Sequence, residues 1–172
     1  MTPKTVHASA VLIGARAVLI RGPSGSGKSQ LALGLIEAAR GGALAFARLV
    51  ADDRVHLETA NGRLLARPAA ALAGLIEVRG IGLMRLAYEP CAVVGLVVDL
   101  AAADALRLPE ATQRKVEIDG INLPRLAVAS GEAVLPAVLA LINSEPSLMG
   151  SVTAAAATCP CSRAGHRPLI GD

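Results

Sequence analysis

The sequence predicts an α/β fold, a mixed β-sheet with flanking helices organised around a P-loop of the nucleotide-binding kind. Three stretches point to it. Val18-Leu19-Ile20 is a short apolar run that feeds Gly22-Pro23-Ser24-Gly25-Ser26-Gly27-Lys28-Ser29, and Gln30-Leu31-Ala32-Leu33-Gly34-Leu35-Ile36 follows with helical spacing. Ala92-Val93-Val94-Gly95-Leu96-Val97-Val98-Asp99-Leu100 is the longest β-rich apolar run, as a central strand buried on both faces would be. Val6-His7-Ala8-Ser9-Ala10-Val11-Leu12-Ile13 is separated from the loop strand only by Gly14-Ala15-Arg16. That is too short for a helical crossover, so these two strands pair antiparallel.

Composition narrows the class. At 172 residues the chain is one domain with room for a real core. Hydrophobic residues make up 53% but aromatics only 1%, so the core is built from Ala, Val, Leu and Ile. With one Tyr, one Phe and no Trp, nothing offers a platform for stacked bases. The net charge of +3 comes from scattered arginines without a basic run, so no nucleic acid is expected as partner. The N-terminus lacks the pattern of a signal peptide and no apolar run is long enough for a bilayer, so the expected location is cytoplasmic. Of the three cysteines, Cys91 reads as a small core residue. Cys159 and Cys161 lie near His166, but a metal site there would need a fourth ligand and a folded frame.

The remaining elements follow in order. The helix after the loop stops at Arg40-Gly41-Gly42. Ala47-Arg48-Leu49-Val50-Ala51 is a strand that closes on Asp52-Asp53, and Val55-His56-Leu57-Glu58 continues extended to a hairpin at Asn61-Gly62. Leu75-Ile76-Glu77-Val78 starts strand-like and is then punctuated by Gly80 and Gly82. Asp119-Gly120 makes a second hairpin, and residues 131–142 form a closing helix weakened by Pro136. The domain spans 1–142, and 143–172, small, polar and Pro/Gly-punctuated, reads as a poorly ordered tail.

The loop implies its chemistry. Its glycines let backbone amides at the helix start face phosphate oxygens, Lys28 reaches the β- and γ-phosphates, and Ser29 is placed to ligate Mg²⁺. Such a loop works with a carboxylate at a strand end. Asp99 ends the most apolar strand, though it could equally begin a helix over Ala101-Ala102-Ala103-Asp104-Ala105-Leu106. Asp52-Asp53 offers two adjacent acids, one of which proximity would push towards a higher pKa, or simply a turn between strands.

Taken together, Val6-His7-Ala8, residues 22–29, Leu49-Val50-Ala51-Asp52-Asp53-Arg54-Val55 and Ile76-Glu77-Val78-Arg79-Gly80-Ile81-Gly82 resemble the C-terminal catalytic domain of HPr kinase/phosphorylase, with weaker matches at Arg107-Leu108-Pro109 and Leu123-Pro124. The family phosphorylates a serine of the phosphocarrier protein HPr. The resemblance implies a fold like that of phosphoenolpyruvate carboxykinase, a hexamer, and ATP with Mg²⁺. It implies Asp53 as the base towards the serine hydroxyl, with Asp52 supporting the metal or bonding His7. It makes His7, Lys28 and Arg107 active-site residues, with Arg114 the competitor of Arg107, and gives Mg²⁺ to Ser29 and Glu77. Arg79-Gly80-Ile81-Gly82 is a docking or subunit-contact segment on this reading.

Three departures from the family stand out. Only five residues precede Val6, so a short form without the usual N-terminal domain is expected. Residues 41–46 are an insertion, expected as a silent surface loop. Residues 126–132 read Leu-Ala-Val-Ala-Ser-Gly-Glu, where relatives carry a Pro-x-x-x-Gly-Arg-Asn-type segment tied to dephosphorylation, so phosphorylase activity is expected to be weak or absent. Two other classes share the loop: a small-molecule kinase, which would want an arginine-rich lid and polar base contacts, and a nucleotide-dependent sensor without transfer chemistry.

Overall fold

The computed structural model describes residues 5–149. Strands β1 (Thr5–Ile13) and β2 (Arg16–Arg21) form the expected antiparallel pair. β2 then lies parallel to β8 (Ala92–Leu100), and β8 lies parallel to β10 (Ile121–Val128), which makes the sheet mixed. β9 (Lys115–Ile118) closes that edge against β10. On the other side β1 pairs with β3 (Ala47–Ala51) and β4 (Arg54–Ala60); β4 turns into β5 (Arg63–Pro68), and β5 pairs with β8. The pairings β2–β1–β4–β5–β8 therefore close on β2 as a ring within an eight-stranded sheet.

That ring explains the composition. Ala8, Ala10, Ala17, Leu19, Val55, Leu64, Ala66 and Val97 cluster inside it, and nearly all are fully buried. So small a ring leaves space for Ala, Val and Leu but not for aromatic side chains. The alternate residues of the same strands, Val11, Val18, Ile20, Leu96 and Val98, face the helices. Each fully buried Leu or Ile there contributes about 1.5–3 kcal/mol.

Helix α1 (Lys28–Arg40) buries Leu31, Ala32, Leu35 and Ile36, one stripe at helical spacing, and ends where the Gly41 N–H donates to the Glu37 carbonyl. Residues 41–46 form an irregular, mostly exposed turn, as expected, except that Leu44 is buried in the helix-side core. Helix α2 (Val134–Ser144) packs on α1 where Gly34 admits Leu135. Pro136 does not weaken it: it lies in the first turn, where the missing N–H has no intrahelical partner anyway. A 3₁₀ turn at Pro146–Met149 follows, with Met149 buried and its carbonyl accepting from the Ala15 N–H at 3.0 Å. Residues 143–149 thus pack with the domain, while Cys159, Cys161 and His166 lie outside the described residues.

Both hairpin signals form as the turn chemistry requires, with positive φ at Asn61 (51°) and Gly62 (69°) and at Asp119 (48°) and Gly120 (78°). A separate two-stranded hairpin, β6 (Leu75–Val78) and β7 (Gly82–Arg85), stands beside the loop with Ile81, Leu83 and Met84 exposed. No helix among the described residues is long and apolar enough to cross a membrane.

Candidate active site

The parallel strands β2 and β8 end side by side, Arg21 opposite Asp99, and residues 22–27 leave β2 at that edge. Gly22 has φ 151°, and a Cβ there would meet the Leu100 carbonyl at 2.9 Å, so only glycine lets the loop lie against the end of β8. Gly25 and Gly27 also have left-handed φ, 78° and 94°, and no heavy atom lies nearer than 3.8 Å to a Cβ built on either. Helix α1 starts without a side-chain cap or an acidic residue in its first turn, and the Ser26 hydroxyl is buried without a partner. A phosphate fits this loop: its backbone is open at Gly25 and Gly27, the helix starts uncapped, and a hydroxyl within it is orphaned. Lys28 is buried, and its ammonium donates to the Gly22 and Pro23 carbonyls, both at 3.0 Å. Burial lowers its pKa, and the Asp52 and Asp53 carboxylates pull it back up.

The two adjacent acids part company. β3 and β4 continue one register along β1, Ala51 facing Ala10 and Arg54 facing His7, so Asp52 and Asp53 interrupt a single strand. Asp53 takes a left-handed backbone, φ 65°, which an Asp tolerates better than most residues. Asp52 turns inward and is 3% exposed. It accepts from the Ser9 hydroxyl at 2.5 Å, from Ser29 Oγ at 2.9 Å to each oxygen, and from the Glu77 backbone N–H at 3.1 Å. Asp53 turns outward, with His7 Nε2 at 3.3 Å and Arg54 Nε at 3.9 Å. His7 therefore meets Asp53 and not Asp52: His7 and Ser9 share one face of β1, and the register running from Ala10–Ala51 to His7–Arg54 sets Ser9, not His7, opposite the buried acid.

Asp99 is bound differently. Both its oxygens accept from Arg21, at 2.7 and 2.8 Å, and Arg125 Nε adds a third bond at 2.6 Å. Burial alone would raise its carboxyl, but the hydrogen bonds from Arg21 and Arg125 outweigh that and hold it below the usual carboxylate range. No helix begins there: Ala101 turns at φ 52°, and residues 101–114 form no regular element. Asp99 is thus committed to two arginines, and it is Asp52 that touches the loop serine.

A family profile described as the HPr Serine kinase C-terminal domain matches residues 1–131 of this chain. The chain belongs to the HPr serine kinase C-terminal domain family. Curated relatives include the HPr kinase/phosphorylase of Streptococcus thermophilus, 31% identical over 135 residues, which cover 72% of this chain and 41% of the relative. That of Clostridium beijerinckii is 36% identical over 85 residues, covering 49% and 26%. The chain thus spans well under half the length of the curated relatives it matches. Among solved structures, that of the HPr(Ser) kinase/phosphatase from Coxiella burnetii superposes with a TM-score of 0.67 at 26% identity, over 86% of this chain and 99% of that one.

Within this HPr kinase C-terminal domain, the fold brings Lys28, Ser29, Asp52, the backbone of Glu77, Asp53 and His7 to one edge, with the Glu77 side chain exposed. Arg107 stands on the exposed 101–114 connection and makes no hydrogen bond or ion pair among the described residues; the Arg114 side chain is likewise exposed. Ser9, Arg21, Arg125 and Asp104 were not singled out by the sequence. Ser9 carries one usable signal, a fully buried hydroxyl between Ala8 and Ala10 in the middle of the strand. The others read as ordinary surface charges.

Proposed function

We propose that this domain is an Mg²⁺- and ATP-dependent protein-serine kinase that phosphorylates HPr or a paralogue. The observation that carries the reading is the bond between the loop residue Ser29 and the buried Asp52, with the exposed Asp53–His7 pair on the next residue of the same strand. A binding module would need the first of these but not the second. The core is then a P-loop kinase of the phosphoenolpyruvate carboxykinase-like kind.

Each residue has a task on this reading. The backbone from Gly22 to Gly27 receives the triphosphate, and the Lys28 ammonium exchanges two loop carbonyls for phosphate oxygens. Because Ser29 gives its hydroxyl hydrogen to Asp52, its lone pairs are left for a cation. Ser29 and Glu77 would hold Mg²⁺, which supplies charge neutralisation on the β- and γ-phosphates when bound. Among the described residues no three His, Cys, Asp or Glu side chains group to hold a metal, so Ser29 and Glu77 would share the ion with oxygens from outside the protein. Asp53 accepts the proton of the attacking serine as its oxygen bonds the γ-phosphorus and the β–γ bridging bond breaks, releasing ADP. His7 holds the Asp53 carboxylate towards the edge, and Arg107 meets charge on the transferred group.

The same reading includes a hexameric, cytoplasmic enzyme with little phosphorylase activity, since residues 126–132 carry neither arginine nor asparagine. Light scattering tests the assembly. Phosphate or pyrophosphate release from seryl-phosphorylated HPr tests the reverse reaction, and robust turnover contradicts that part. The deciding experiment is transfer from γ-labelled ATP to purified HPr beside an HPr variant lacking the target serine. Label on wild-type HPr only is the expected result; ATP binding without label points to a sensor instead.

A further inference from the structure

The 101–114 connection between β8 and β9 carries Arg107 at its crown, where Leu106 is 55% and Leu108 84% exposed. Beneath it lies a cavity of about 310 Å³, walled by Leu106, Pro109 and Gln113 from the connection and by Leu126, Leu141 and Leu148 from the domain. Core packing therefore does not hold the crown in place. Among the described residues, apart from the local bond from the Ala105 N–H to the Ala102 carbonyl, a single contact ties residues 103–113 to the rest of the fold by hydrogen bonds, and Arg125 makes it. Its Nη1 and Nη2 donate to the two oxygens of Asp104, at 2.6 and 2.9 Å. The same residue's backbone N–H donates to the Arg114 carbonyl at 2.7 Å, where the connection rejoins the sheet.

One arginine thus grips both ends of the segment. Its third side-chain bond, Nε to Asp99, leads to Arg21, the residue immediately before Gly22. The Arg125 side chain is 13% exposed, so the grip is made from within the fold and not from a mobile surface chain. A planar guanidinium bound bidentately sets an angle as well as a distance, which a lysine could not.

We propose that Arg125 is a positioning residue that holds the 101–114 connection, and with it Arg107, in fixed relation to the phosphate loop. The part concerning Arg107 rests on the kinase reading above; the anchoring itself does not.

The test uses Asp104→Asn and Asp104→Glu in the full chain, with Arg125→Lys as a third variant. Asp104 is exposed, so its replacement leaves the folded domain intact. The first readout is tryptic cleavage after Arg107, with cleavage after Arg79 in the separate hairpin as internal control. Asp104→Asn should speed the first about tenfold and leave the second unchanged, because nicking follows local release of a segment. The second readout is transfer to HPr: kcat should fall about tenfold with the KM for ATP within about twofold, and Asp104→Glu should recover most of it. Unchanged cleavage at Arg107 in both Asp104→Asn and Arg125→Lys overturns the anchor. Faster cleavage with unchanged kcat overturns the positioning role. If the wild type transfers nothing to HPr, the kinase reading fails, and the cleavage rates alone then decide for or against the anchor.

Discussion

Replacing Asp52 with asparagine probes the junction between the phosphate loop and the strand pair. The carboxylate has three donors around it, Ser9 Oγ, Ser29 Oγ and the Glu77 N–H, in a site closed to water. Asparagine matches it in shape but offers one acceptor oxygen and an NH₂ group. If the NH₂ faces Glu77, a backbone N–H is stranded. If it faces Ser9, that hydroxyl turns to accept, and its own hydrogen is stranded in a fully buried site. One orphaned donor costs about 1–3 kcal/mol, and the surviving bonds lose their charge assistance, about 1 kcal/mol more. Relief of the buried charge offsets part of this, leaving about 2–3 kcal/mol. For a chain of this size that lowers Tm by about 4–12 °C. The assay is thermal unfolding by circular dichroism without nucleotide, on Asp52→Asn, Ser9→Ala and the double variant. With Ser9 removed, the NH₂ strands one of its own hydrogens in place of the Ser9 hydrogen, so the count of orphaned donors stays at one and the double variant should melt close to Asp52→Asn alone. An Asp52→Asn protein melting within about 1 °C of wild type, or full additivity in the pair, would refute the reasoning.

Other predictions follow from the same geometry. Asp53→Asn keeps a residue that tolerates the left-handed backbone, so it should fold and bind ATP normally while kcat for HPr phosphorylation drops about 10²–10⁴-fold; a drop below tenfold counts against Asp53 as the base. Asp99 has a folded pKa below its unfolded value, so its stabilisation is complete above the ordinary carboxylate pKa of about 3.9 and is lost as pH falls below it. Asp99→Asn should therefore be about 2–4 kcal/mol less stable in denaturant titrations at neutral pH, with the gap narrowing as pH falls below the ordinary carboxylate range; a gap constant with pH contradicts the pairing. Gly95→Ala should cost about 1–3 kcal/mol in the same titration. A Cβ there would lie 2.6 Å from the Leu148 carbonyl and 2.7 Å from Arg16 Cδ, where the C-terminal 3₁₀ turn crosses β8. Arg79→Glu, on the exposed β6–β7 hairpin, should raise the KM for HPr with little change in that for ATP, and an unchanged rate at all HPr concentrations argues against docking there.

Much of this was legible before any coordinates because it is local chemistry. The turns at Asn61-Gly62 and Asp119-Gly120 need two consecutive positive φ angles, and the residues that allow them stand next to each other in the chain. β8 is apolar from Ala92 to Val98 because both of its faces are covered. Pro136 misled because a proline in a helix interior and one in its first turn look alike until the first residue of the helix is known. Residues 143–149 read as part of the tail because composition does not reveal that Gly95 clears a place on β8 for Leu148.

The sequence by itself determined the phosphate loop, the antiparallel entry into it and the two acids of β3–β4, since each rests on backbone requirements or hydrophobic periodicity within a dozen residues. Tertiary structure alone decided what those acids touch. Ser9 meets Asp52 across 43 positions, Arg21 meets Asp99 across 78, and Arg125 binds Asp99 and Asp104 together. These partners are set by strand order and register, and a shift of one residue in β1 would turn His7 and Ser9 together to the other face, taking Ser9 from Asp52 and His7 from Asp53.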